Sequence, residues 1–452
     1  MKTIFLSIVA TVISIAAKAQ VKTAWQAANY EAAEWKTKIV NKSILIAPPP
    51  SATESKAELA VIKKRMKDLD EKKLEKMKYW NSGAPAYRWN QLSPSLHSWE
   101  KHEVILRTPS SWMSLAIYDA IIFAWKEKLK YKRKRPGSLD ASIKPITNTP
   151  STFSYPCEHS VTAAAAAYTL AYFFPEKADS IMQLAKDASQ SRIDAGVQFP
   201  SDVEAGWKLG EQVAKQVIEK AKLDGSDKKW DGKKNTEPKK WTGPFPLGIM
   251  AATHAPIIMR SADQFRPVPP PDFEKEMIDL KNYKKNSRTT YSAYHWANIP
   301  MGFWATLAAE KMFEYGIMSD APTAARIYAT LHTGSHDAAI ATMDAKYAYW
   351  GIRPSQYDTT YKPLLSTPPF PGYPSGHALG AATAASILEF YFPADAMQFR
   401  KLAQECADSR FYAGIHFKTD NEVGLQMGNQ IGKFVVESFI KDSNNNNVSI
   451  KK

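Results

Sequence analysis

The chain has 452 residues, 44% of them hydrophobic and 12% aromatic, a globular balance with room for two or three domains. Two cysteines, Cys157 and Cys406, exclude a disulfide framework and leave at most one bridge. The formal charge of +14 would suit a nucleic acid or an anionic surface, but the lysines gather in solvated stretches and the chain opens with an export signal. We therefore expect no nucleic-acid partner, with attraction of anionic substrates as a side effect of the charge.

Taken in order, residues 1–19 read as a signal peptide: Lys2, an apolar core from Ile4 to Ala17, then Ala17-Lys18-Ala19 before Gln20. A periplasmic or secreted protein is expected. Residues 20–105 read as an N-terminal helical region, with an amphipathic pattern from Ala24 to about Met77 broken by Ala47-Pro48-Pro49-Pro50. A helical bundle is expected over 106–222, linker and loops over 223–290, a second bundle over 291–440 and a disordered tail over 441–452. The runs Ser160–Phe174 and Ala378–Phe392 are Ala-rich and end at Pro175 and Pro393, and helices follow again over Glu176–Arg192 and Ala394–Phe411. Few runs alternate as strands do. The fold class expected is all-α, two duplicated helical bundles. The long stretches free of charge, Thr289–Ala309 and Pro363–Leu388, are interrupted by proline and histidine, so no transmembrane anchor is expected.

The duplication is visible in the spacing. Lys128, Arg135-Pro136, Tyr155-Pro156, His159, Ser191-Arg192 and Asp202 recur 218 residues later as Lys346, Arg353-Pro354, Tyr373-Pro374, His377, Ser409-Arg410 and Asp420. The second copy holds a complete set for one task, gripping a tetrahedral oxyanion while a histidine bonds its central atom. Lys346, Arg353 and Arg410 supply fixed positive charge, Ser375 a hydroxyl, and Gly376 a backbone N–H open to close approach. His377 starts an Ala-rich run, which puts the anion at a helix N-terminus. His416 is the candidate axial ligand or nucleophile. Asp420, four residues on and expected on the same helical face, would fix its tautomer. In the first copy Gln198 stands for His416, and Cys157-Glu158 for Ser375-Gly376. A glutamine is no nucleophile and a carboxylate opposes an anion, so only the second bundle is expected to be active. His332 and His336, four apart, read as core histidines rather than metal ligands.

These motifs at these spacings resemble the superfamily that unites type 2 phosphatidic acid phosphatases, bacterial acid phosphatases and vanadium-dependent haloperoxidases. The resemblance is nearest to secreted bacterial haloperoxidases, whose larger members pack two related bundles with one site. It implies vanadate held by Lys346, Arg353, Ser375, Gly376 and Arg410, bonded through vanadium to His416, with His377 and Asp420 completing the catalytic set. The implied partners are hydrogen peroxide and a halide. Phe370 is similar in placement to a halide-side residue of that family, whereas the family's Trp just before the lysine has no counterpart near Met343. The same residues equally suit an acid phosphatase, with phosphate of a monoester in the cradle, His416 attacking phosphorus and His377 protonating the leaving oxygen. A non-catalytic oxyanion-binding protein is the third reading, and a poised nucleophile with a proton donor argues against it.

Overall fold

The computed structural model describes residues 28–96, 108–297 and 302–441. The expected signal peptide lies outside these residues, as does all but the first residue of the expected tail. The helices fall into two series of the same order. The first comprises α1 (Ala52–Lys67), α2 (Glu71–Trp80), α3 (Pro85–Ser95), α4 (Thr108–Tyr131), α5 (Pro136–Leu139), α6 (Glu158–Phe173), α7 (Ala178–Asp194) and α8 (Pro200–Ala221). The second comprises α9 (Glu274–Asn282), α10 (Ser287–Ala297), α11 (Gly302–Glu314), α12 (Ala321–Tyr349), α13 (Pro354–Tyr357), α14 (Gly376–Tyr391), α15 (Ala396–Tyr412) and α16 (Lys418–Ile440). Among the described residues the β pairing is a single bridge between Lys240 and Gly351. The fold is all-α.

The long helices α4 and α12 are buried along most of their length, and the Ser111 hydroxyl on α4 donates to the His332 carbonyl on α12 at 2.9 Å. One continuous apolar core runs through both halves, joining Trp112 and Ile121 of the first to Leu331, Tyr391 and Phe439 of the second. Each central helix ends on a non-glycine residue in the left-handed region, Lys132 or Trp350. Their N–H groups bond back to the carbonyls of Lys128 and Lys346, which turns the chain so that Arg135 and Arg353 follow close behind.

Close helix approach positions the ends of the bundles. On α16, Gly424 and Gly428 lie against α14, where an added Cβ would sit 2.7 Å from the Ser375 carbonyl and 2.2 Å from that of Leu379. Only glycine permits that spacing. It brings the Ser375 N–H within 2.8 Å of the Asp420 carbonyl, and the first half repeats the bond between Cys157 and Asp202 at 2.9 Å.

The repeat is longer than the motifs show. Asp119 accepts the N–H groups of Lys38, Ile39 and Val40 at 2.7–2.9 Å, and Asp337 accepts those of Ile257, Ile258 and Met259 at 2.7–2.8 Å. Glu58 of α1 grips Ser201 through its N–H and hydroxyl, and Glu276 of α9 grips Thr419 in the same way. The boundaries expected at 105 and 290 thus fall inside the two repeats. Two local expectations are corrected as well. Residues 35–51 form no amphipathic helix but an irregular strap, in which Asp119 takes the N–H groups of Lys38, Ile39 and Val40. The stretch 223–290 is not plain linker, since α9 lies within it and Phe273 stacks on Phe417 with ring centroids 4.1 Å apart. Both cysteines are free and buried.

Candidate active site

Four elements of the second bundle converge. Lys346 comes from the last turn of α12, Arg353 from the turn before α13, Ser375, Gly376 and His377 from the start of α14, and Arg410 from the end of α15. After α15 the chain turns through Gly414, at φ +76°, to deliver His416. His416 is therefore not on a helix, and the expected shared helical face is corrected: it lies in the turn before α16, whose third residue is Asp420. The two meet because Asp420 caps that helix. Its Oδ2 accepts from the Phe417 N–H at 3.1 Å and from His416 Nδ1 at 2.9 Å.

That contact sets the tautomer. With the proton on Nδ1, the Nε2 lone pair of His416 points into the pocket, where Arg353 Nη1 lies 2.9 Å away. Arg353 is itself fixed by donating to the carbonyls of Ile415 at 2.7 Å and Phe370 at 3.1 Å. Lys346 Nζ donates to the carbonyls of Pro371 and Gly372 at 2.6 and 2.7 Å. The Phe370 ring faces both cations, its centroid 5.1 Å from Lys346 Nζ and 5.2 Å from the Arg353 guanidinium carbon. Arg410 Nη2 donates to the Ala293 carbonyl of α10 at 3.0 Å, and its Nη1 lies 3.4 Å from His377 Nε2. The Ser375 hydroxyl caps α14 at the Ala378 N–H.

The electrostatics follow from three cations gathered around one acidic side chain. Burial and the neighbouring Arg353 hold the Lys346 ammonium well below its usual range, with Asp420 opposing. Burial brings Arg353 down to about 10, again against Asp420, and lowers Arg410 too. His377 falls to about 3 through burial and the charges of Arg410, Arg353 and Lys346, and His416 is depressed by burial and the same cations. Burial raises Asp420 to about 7, with Lys346 and Arg353 opposing. Both histidines are thus neutral at neutral pH, and the pocket favours an added anion.

The residues fit a tetrahedral oxyanion on independent grounds. Arg353 Nη2 is buried with no hydrogen-bond partner. The first turn of α14 offers backbone N–H groups, and at Gly376 an added Cβ would crowd Thr342 Cγ2 at 3.2 Å. The first half shows the same cradle filled from within. Glu158, at the position of Gly376, reaches Lys128 Nζ at 2.8 Å and Arg135 Nη2 at 3.1 Å, and accepts from Gln198 Nε2 at 3.2 Å. A carboxylate there meets the counterparts of Lys346, Arg353 and His416. Arg192 does not join it but turns to Asn81 Oδ1 at 2.8 Å and the Met77 carbonyl at 3.3 Å.

Sequence reasoning missed the carbonyls of Pro371, Gly372, Ile415 and Ala293 that aim the cations, because any residue supplies a carbonyl. His332 and His336 are buried on α12, and no group of three or more metal-ligating side chains occurs among the described residues. There, too, no helix is long and apolar enough to cross a membrane.

Two family descriptions match the chain: the PAP2 superfamily over residues 111–219 and the VCPO second helical-bundle domain over residues 395–445. The first lies on the half whose cradle is filled by Glu158, the second on α15 and α16. Among solved structures, the first bacterial vanadium-dependent iodoperoxidase superposes with a TM-score of 0.55 at 20% identity, covering 86% of this chain and 98% of that one. The holo-type bacterial vanadium-dependent chloroperoxidase gives 0.56 at 16% identity over 76% and 93% of the two chains, and its apo-type 0.56 at 15% over 75% and 94%. A search of curated proteins by sequence gave no match.

Proposed function

Because this chain carries the fold of the PAP2 superfamily and the bacterial vanadium haloperoxidases, we propose that it is an exported vanadate-dependent haloperoxidase, oxidising halide with hydrogen peroxide at the second-half cradle. The observation that carries the reading is His416: a neutral imidazole whose Nδ1 is held by Asp420 and whose Nε2 lone pair lies 2.9 Å from Arg353 Nη1, while the other terminal nitrogen of that guanidinium, Nη2, is buried without a partner. Vanadate bound there would supply an electrophilic centre at which peroxide is activated toward halide.

The chain's own residues divide the work. His416 Nε2 would bond the central atom of the oxyanion, and Asp420 keeps the Nδ1 proton in place so that the lone pair stays directed. Lys346, Arg353 and Arg410 would offset the negative charge of its oxygens, with the Ser375 hydroxyl and the Gly376 N–H completing the cradle. His377, partly exposed beside Arg410, is placed to take a proton from an incoming peroxide and return it to a departing oxygen.

A phosphatase uses the same atoms, with His416 attacking phosphorus and His377 protonating the leaving oxygen. Favouring the peroxidase is the architecture: the two-bundle arrangement extends over nearly the whole length of the iodoperoxidase and chloroperoxidase structures. The test is an assay of the purified protein for peroxide-dependent halide oxidation with and without orthovanadate, beside hydrolysis of a generic phosphate monoester. Vanadate-dependent oxidation of iodide or bromide is expected. Vanadate-inhibited monoester hydrolysis without halide oxidation would reverse the assignment, and neither activity would leave a binding protein.

A further inference from the structure

The two halves act as controls for one another, and they differ at a cleft on the outer side of α9, α15 and α16. The cleft measures about 470 Å³, and Asp279, Tyr283, Asp408, Phe411, Tyr412 and Asn421 are among its lining residues. At the matching place the first half carries an internal ion pair. Arg65, aligned with Tyr283, holds Asp194 with Nε 2.8 Å from Oδ1, and Val203, aligned with Asn421, packs with Ile62 and Ile193.

The second half has lost that pair, with Tyr283 and Tyr412 standing for Arg65 and Asp194, and has gained acceptors at Asp408 and Asn421. Asp408, where the first half has Gln190, receives the Gln404 amide at 2.9 Å and forms no ion pair among the described residues. Burial raises its carboxyl above the usual range, with the Gln404 bond opposing. Lys418 on the rim is engaged by Asp279 at 2.9 Å. Asn421 is only 5% exposed, and its Oδ1 has no hydrogen-bond partner. A polar side chain placed there instead of valine, with an acceptor left unmatched, points to a donor supplied from outside. Tyr283 and Tyr412 stack at 5.5 Å, and Phe411 adds a third ring.

We propose that this cleft binds a small organic cation, an alkylguanidinium or alkylammonium compound, with its charged head between Asp408 and Asn421 and its chain along the aromatic wall. The acceptors require a donor, the negative charge requires a cation, and the rings favour one that sheds water easily. In the first half a guanidinium, that of Arg65, lies in the same region, against Asp194 at the position of Tyr412.

The experiment is calorimetric titration of the full chain with agmatine, and with butyramide as a neutral comparator, at low and high salt. Saturable agmatine binding is expected, weakened by salt and at least tenfold tighter than butyramide. Asp408→Gln and Asn421→Val, which install the first-half residues, should each weaken it tenfold or more while melting temperature stays close to wild type. Affinity should be the same with orthovanadate present, since the cradle is a separate site. No binding, equal affinity for butyramide, insensitivity to both substitutions, or competition by orthovanadate would each overturn the proposal. If one variant failed to fold, the other and the salt dependence of the wild type would still decide.

Discussion

Asp420 uses one carboxylate oxygen for two tasks: Oδ2 lies 2.9 Å from His416 Nδ1 and 3.1 Å from the Phe417 N–H, so capping α16 and orienting the histidine are a single act. His416→Ala should abolish turnover, because no side chain would remain to bond the central atom of the oxyanion. Asp420→Asn keeps a cap acceptor but weakens the hold on the tautomer, and a loss of about 10-fold or more in kcat is expected. Steady-state kinetics on folded variants check this, and equal, negligible effects from the two changes would sink the role given to the pair.

The same carboxyl makes a prediction for stability. Burial raises Asp420 to about 7 in the folded protein, above the ordinary 3.8. A raised acid binds more protons folded than unfolded, so its contribution is most favourable below the unfolded value and falls as pH rises toward 7. Asp420→Asn should therefore lose less stability than wild type between about pH 4 and 7, read from denaturant midpoints against pH. A steeper decline in the variant would contradict the assigned shift.

Arg353 Nη2 has no partner in the buried cradle, and Lys346 and Arg410 stand beside it. Orthovanadate should therefore raise the melting temperature of the protein. At a concentration about 100 times Kd the stabilisation amounts to about 2.7 kcal/mol. Arg353→Ala should remove most of this shift. Thermal scans with and without vanadate measure it, independently of any turnover.

His377 is held near 3 by burial and three cations. A bound oxyanion offsets those cations and must raise the histidine's affinity for a proton, so binding and proton uptake are linked. Calorimetry in buffers of different ionisation enthalpy should show uptake near neutral pH, diminished in His377→Ala. Identical uptake in both proteins would place the proton elsewhere.

What the sequence revealed and what it hid divide along one line. Ala-rich runs closed by Pro175 and Pro393 marked the helices, and charged side chains at fixed spacing marked Lys346, Arg353, Arg410 and His416, because those features are written in side chains. The straps were hidden because Asp119 and Asp337 bind backbone N–H groups, which residues as different as Lys38 and Ile257 supply equally. The partners of Arg410 and Arg192 had the same obscurity, since they include the carbonyls of Ala293 and Met77. The spacing from His416 to Asp420 fitted one helical turn, yet the contact arises from a cap, and four residues suit both geometries.

The filled cradle of the first half gives the last test. Glu158 is fully enclosed. Burial alone would raise its carboxyl, but Lys128 and Arg135 outweigh that and hold it below the usual range, so the three form a buried charge cluster. Removing the carboxylate in Glu158→Ala leaves two buried cations without their counter-ion, a change that costs about 3–5 kcal/mol when one partner of a buried pair is lost. Because the cradle matches the one around His416, millimolar phosphate or formate should recover part of the lost melting temperature in this variant. Wild type should bind one vanadate per chain, and Gln198→Ala should leave turnover nearly unchanged. Arg192→Ala should lower stability rather than turnover, since its guanidinium holds Asn81 and the C-terminal turn of α2 instead of an anion. Two vanadate ions per wild-type chain, or a Glu158→Ala protein as stable as wild type without added anion, would show that the carboxylate does not occupy an oxyanion's place.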